Sequence, residues 1–155
     1  MQLTQFTDLG LRVLLYLSFK ERDTPATVGE IAASFAVSRN HLVKVVHFMG
    51  QQGWLATTRG KGGGLALAQP LAWYRLGKII RELEGTTELI DCAANTCRLR
   101  GNCRLKGILD QALDAMFEVL DRYTLADAVA EPSGQVIMML NRIGMKQAMP
   151  QTVVN

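Results

Sequence analysis

Apolar positions along the chain follow two periods, and the change between them divides it. Phe6, Leu9, Val13, Leu14 and Leu17 share one side of a 3.6-residue repeat, so a first helix is predicted from Thr4 to about Lys20. Asp23-Thr24-Pro25 breaks it. Thr27-Val28-Gly29-Glu30 has the form of a capping box and opens a short second helix to about Phe35. Ser38 stands as the N-cap of a third, from Arg39 to about Gln52, with Leu42, Val45, Val46 and Met49 as its buried stripe and Gly53 as its stop. Trp54–Thr58 and Leu65–Ala68 then read as strands around the turn Arg59-Gly60-Lys61-Gly62-Gly63-Gly64, and Pro70 ends that hairpin. Arg75 to Glu84 is a further helix.

Arg104 to about Asp121 is expected to be the longest helix. Leu105, Ile108, Leu109, Ala112, Leu113, Met116, Phe117 and Leu120 form a broad apolar face, with Lys106, Asp110, Asp114 and Glu118 opposite. So wide a face exceeds what a small domain can cover, and pairing with a second copy is expected. Thr124–Asp127 is placed to cap one last short helix. From Glu131 onward the methionines show no period, and a mobile tail is expected over 131–155.

Two helices with a tight connection followed by a hairpin make a winged helix-turn-helix. The fold class expected is therefore mainly α with a small β-wing, plus a long dimerisation helix. The DNA-binding region spans 1–84, with the helix-turn-helix at about 28–51 and the wing at 54–69. A cysteine loop covers 85–103, and the dimerisation helix and its cap cover 104–130.

Charge sharpens this picture. Residues 1–79 hold nine Lys/Arg against four Asp/Glu, a balance of +5, and residues 80–155 hold eight against ten, a balance of −2. A basic first half beside a mildly acidic second half suits a nucleic-acid reader joined to a sensing part. The apolar run Leu9–Phe19 is too short to span a bilayer and contains Arg12. With no signal-peptide pattern either, a cytoplasmic protein without membrane contact is expected.

The polar residues of the third helix carry candidate chemistry. Ser38, Arg39, Asn40 and His41 stand at its start and Lys44 one turn on, where a recognition helix reaches base edges in the major groove. Arg can grip guanine and Asn adenine in bidentate fashion, and Ser38 with the free N–H groups of the first turn can hold a phosphate. In the turn between the strands, Arg59 and Lys61 flank glycines, including Gly62, that let the backbone approach the duplex. The phosphate-loop form G-x4-G-K-[ST] is absent, and the glycines lead into a strand. Double-stranded DNA with a palindromic operator is the expected partner.

The only cysteines, Cys92, Cys97 and Cys103, lie as C-x4-C-x5-C in a stretch of small and polar residues. In a reducing compartment, clustered cysteines favour metal or redox chemistry over disulfides. An iron–sulfur cluster, zinc and three idle thiols remain open, although zinc sites usually show a C-x2-C pair. A thiol enzyme would need a base near its nucleophile, and the two histidines, His41 and His47, are distant in sequence. A non-enzymatic function is therefore expected.

The opening LTQFTDLGLRVLLYL, then AVSRNHLVKVV, TTRGKGGGLAL, IIRELEG, the cysteine triplet and YTLADAV occur in one order. From Met1 to about Val129 the chain resembles the Rrf-type winged-helix repressors, and most resembles members that sense nitric oxide. The resemblance implies a homodimer holding an iron–sulfur cluster, [4Fe–4S] rather than [2Fe–2S], on Cys92, Cys97 and Cys103. It also implies a fourth ligand from Asp8 of the second subunit and release of operator DNA when nitric oxide reaches the cluster. On sequence alone Asp8 is otherwise a first-turn acid, and Asp91 beside Cys92 is a rival ligand. The alternative is the same fold sensing iron, cluster supply or redox state, and the cluster-assembly regulators of this family carry a histidine soon after the third cysteine. Here Arg104, Leu105, Lys106 and Gly107 follow Cys103. That departure weakens the alternative.

Overall fold

The structure is a computed structural model describing residues 2–19, 21, 24–60, 62–85, 88–92, 97–99 and 101–148. Helix α1 (Gln5–Leu17) is capped at its start by the Thr4 hydroxyl, which accepts from the Thr7 N–H. Helix α2 (Val28–Ser34) is capped by Thr27, whose hydroxyl accepts from the Glu30 N–H, as the capping-box pattern requires. Helix α3 (Arg39–Gln51) buries Leu42, Val45, Val46 and Met49, the stripe the periodicity marks out. Gly53 ends it at φ +70°, a left-handed conformation that favours glycine.

Strands β1 (Leu55–Thr58) and β2 (Gly64–Leu67) pair antiparallel, with Leu55 opposite Leu67 and Thr58 opposite Gly64. The hairpin is anchored to the core where Ala26 and Leu65 exchange backbone hydrogen bonds. A single 3-10 turn (Leu71–Trp73) leads into α4 (Leu76–Glu84). Helix α5 (Arg104–Leu120), of 17 residues, is the longest described, and α6 (Leu125–Ala128) and α7 (Ser133–Ala148) follow. No described helix is long and apolar enough to cross a membrane.

The main core gathers Leu9, Val13, Leu14, Ile31, Leu42, Met49, Trp54, Ile79 and Leu125 from both ends of the chain. Leu125 belongs to the segment expected to serve dimerisation, yet it closes the core of the first region. A second, small cluster joins Ile80 of α4 to Leu113 and Phe117 of α5. Of the apolar face expected on α5, only Leu113 and Phe117 are buried. Leu105 and Ile108 remain 60% and 55% exposed, so the described residues leave the apolar side chains of the first half of this helix largely uncovered.

The expectation of a mobile tail fails over 133–148, where α7 packs on α1 and α2. Ile137 and Asn141 are buried, and the Asn141 amide donates to the carbonyls of Tyr16 and Ile137, each at 3.0 Å. Gly144 lies so close to the Tyr16 and Ser34 hydroxyls that a Cβ there would collide with both. The inward positions 137, 141 and 144 do recur at helical spacing, but two of them are Asn and Gly, so no apolar period betrays the buried face. Residues 149–155 of the expected tail lie outside the described residues.

Candidate nucleic-acid interface and cysteine loop

The buried stripe of α3 fixes what its other side presents. Ser38, Arg39, Asn40, His41 and Lys44 are all exposed on its first two turns. Ser38 takes the N-cap position in extended backbone, but its side chain makes no capping hydrogen bond, which leaves the hydroxyl and the first-turn N–H groups for an outside acceptor. Val43 and His47 share this exposed surface. They were absent from the sequence-derived set, although positions a turn from Asn40 and Lys44 and off the Leu42–Met49 stripe could have been marked as outward by period alone.

Arg59 and Gly62 are exposed at the turn of the hairpin, where Gly60 and Gly62 hold φ values of +98° and +83°. A Cβ on Gly63 would strike the Thr58 carbonyl, so the tight turn depends on that glycine. Lys61 lies outside the described residues. The neck of the hairpin is held from below by Tyr74, whose hydroxyl donates to the Trp54 carbonyl at 2.7 Å and accepts from the Gln69 N–H at 3.0 Å. Burial raises the pKa of this phenol above its ordinary value, keeping it a donor at neutral pH.

The three cysteines are free of disulfides; Cys97 is exposed and Cys92 and Cys103 are half-buried. Cys103 is the N-cap of α5, and its sulfur accepts the Lys106 N–H at 3.4 Å. Lys106 also pairs with Asp110 at 2.7 Å, which raises its pKa. Among the described residues no group of three His, Cys, Asp or Glu side chains converges on one point. Residues 93–96 and 100, which join the cysteines, lie outside the described set. The donor set nevertheless suits a thiophilic metal or cluster: three unpaired thiols on one loop, none sealed in the core, one receiving a backbone N–H as cluster-bound sulfur commonly does.

Asp8 is where the first-turn reading puts it, near the start of α1, with its carboxylate held by Arg12 through contacts of 3.0 Å. Arg12 also lies 5.7 Å from the centre of the Phe35 ring. A ligand role for Asp8 would share or exchange that partner. His41 and His47 are on α3, and Asp91 is exposed beside Cys92.

A winged helix-turn-helix with an outward-facing polar recognition helix and a glycine-kinked wing defines a DNA-binding transcriptional regulator. A family profile described as Rrf2, iron-dependent transcriptional regulator, matches residues 3–131, and the chain belongs to this family. Among solved structures, it is similar to CymR of B. subtilis, described as that organism's global cysteine regulator, with 26% identity over 84% of this chain and 97% of that one at a TM-score of 0.69. The oxidised form of S. aureus CymR matches at 26% identity over 84% of this chain and 97% of that one, with a TM-score of 0.65. IscR of T. potens shares the fold at 21% identity, over 97% of this chain and 93% of that one, with a TM-score of 0.65.

Proposed function

We propose that this protein is a homodimeric repressor whose grip on operator DNA is set by an iron–sulfur cluster on Cys92, Cys97 and Cys103 and relieved by nitric oxide, the behaviour of the NsrR branch its sequence resembles. The observation that carries the proposal is the position of the cysteines. They occupy the loop between α4, which follows the wing, and α5, whose first half is uncovered. A ligand drawing the three sulfurs together therefore acts between the DNA-reading and pairing parts.

Ser38, Arg39, Asn40, His41 and Lys44 would meet the major groove, and Arg59, Lys61 and Gly62 the neighbouring backbone or minor groove. Leu105 and Ile108 would pack on the second copy, as apolar side chains this exposed seldom remain uncovered along one helix face. A [4Fe–4S] cluster, when bound, supplies an iron that a small uncharged molecule can reach. Asp8 of the partner subunit would serve as a fourth, oxygen ligand, harder and more easily displaced than thiolate. The Arg12 contact would then help orient that carboxylate. About 3 kcal/mol of coupling between loop and interface changes DNA affinity about 150-fold.

The test is anaerobic purification followed by iron and sulfide analysis, then titration of DNA binding with nitric oxide. The expected result is a brown protein that loses colour and operator affinity together. Colourless, iron-free protein that still holds DNA under control of its signal would end the proposal. Parallel titrations with oxygen and with a chelator separate nitric oxide from redox or iron supply as the releasing agent.

A further inference from the structure

Among the described residues, the buried contacts of helix α5 lie toward its end. Its first half, with Cys103 at its cap, carries the exposed Leu105 and Ile108, while its last turns bear on α4. Seventeen residues at about 1.5 Å each make an arm of about 25 Å. The anchor is a compact clasp. Arg81 reaches Asp121, the residue that ends α5, with both terminal guanidinium nitrogens, at 2.9 and 2.7 Å. The same guanidinium lies 4.2 Å from the centre of the Phe117 ring. Gly77 lies flat against Asp121, where any Cβ would collide with the carboxylate. Arg75 adds a contact to the Asp121 carbonyl at 3.4 Å.

Immediately past the clasp the chain joins the root of the wing. The Leu76 N–H donates to the Tyr123 carbonyl, and the Leu125 N–H to the Tyr74 carbonyl. Tyr74 is the residue whose hydroxyl closes the neck of the hairpin at Trp54 and Gln69. Hydrogen bonds, joined by the short stretches of chain between them and by the Tyr74 ring, thus connect the foot of α5 to the wing.

We propose that Arg81 is a positioning residue that makes the foot of α5 a fulcrum, so that a displacement of the Cys103 end is delivered through Asp121 and Tyr74 to the wing. This rests on the reading that the state of the cysteine loop sets DNA affinity. The bidentate fork fixes the angle between the two helices as well as their distance, which a point charge would not do. A clasp built only for stability would need no such connection onward to Tyr74.

The experiment compares Arg81→Met and Asp121→Asn, singly and together, with the wild-type dimer. DNA affinity is measured with and without the cluster, and backbone hydrogen exchange is followed in the cluster-free protein. Each variant is expected to shrink the ratio of the two affinities about tenfold, and the double variant no further, with iron per chain and dimer unchanged. Exchange at 55–58 and 64–67 is expected to quicken, although neither segment touches the substituted side chains. A full ratio in the variants, or faster exchange confined to 76–84 and 113–121, overturns the proposal. Equal DNA affinity of the two wild-type forms overturns the cluster-dependent reading and the fulcrum with it.

Discussion

The two halves of the molecule solve different problems. Residues 5–84, joined by Leu125 and α7 from the far end of the same chain, close a core around Leu14, Trp54 and Tyr16, all at most 2% exposed. The cysteine loop and the first half of α5 do the opposite: Leu99, Leu105 and Ile108 are each more than half exposed, and three thiols stand unpaired. A reader of DNA must hold its shape before it meets the duplex. A segment that senses, as proposed for this loop, must have interactions left to gain, because a ligand shifts an equilibrium only by what it gains in one state over the other.

This contrast predicts a ladder of effects. The largest belongs to the core. Leu14→Ala, which empties a fully buried position, is expected to cost about 3 kcal/mol in denaturant unfolding of the cluster-free protein. A loss under about 1 kcal/mol would mean that the first region does not stand on its own core. On the interface, Asn40→Ala is expected to cost about 1–3 kcal/mol of DNA affinity and to relax preference at one base pair. Lys44→Ala should weaken binding to all sequences alike and flatten the salt dependence by about one charge. Competition titrations across a set of duplexes distinguish the two patterns.

Next comes the uncovered face of α5. Leu105→Glu with Ile108→Glu should leave the circular dichroism of the chain unchanged while light scattering reports a monomer. A dimer surviving both charges would place the pairing surface elsewhere. Cys97→Ala should shift unfolding of the cluster-free protein by no more than about 0.5 kcal/mol, because Cys97 is exposed, yet abolish iron binding.

The smallest effect is one of pH. The Arg81 fork holds the Asp121 carboxyl below its ordinary pKa, and Asp121 in turn raises that of Arg81. A carboxyl depressed in the folded state contributes stability above its unfolded pKa of about 3.9, and that contribution is lost as pH falls further through the folded value. Urea unfolding at pH 5 and at pH 3 should therefore show a smaller acid loss in Asp121→Asn than in wild type. Equal losses would assign the acid sensitivity to other carboxyls. Both partners are about 40% exposed, so solvent screens the pair and the effect is modest.

Local patterning made much of the fold legible. Thr27 and Ser38 mark the starts of α2 and α3, the Leu42–Met49 stripe orients α3, and the glycine run marks the turn of the wing. Each of these is a short-range signal, readable because capping, helical period and left-handed turns depend on neighbours in sequence. Helix α7 was illegible because its inward face is built on Asn141 and Gly144, which match a polar network and a close approach rather than an oily stripe. The clasp was illegible for another reason. Nothing near Arg81 or Asp121, forty residues apart, announces the other.

The chain's order of residues by itself determined the helix-turn-helix, the wing and the three thiols held in reserve, because periodicity, caps and cysteine spacing are written locally. Only the tertiary structure decided which apolar residues of α5 stay uncovered, that the last helix returns to brace α1 and α2, and that the foot of α5 is tied to the root of the wing. Those outcomes depend on distant segments competing for the same surface, and that competition is settled by packing alone.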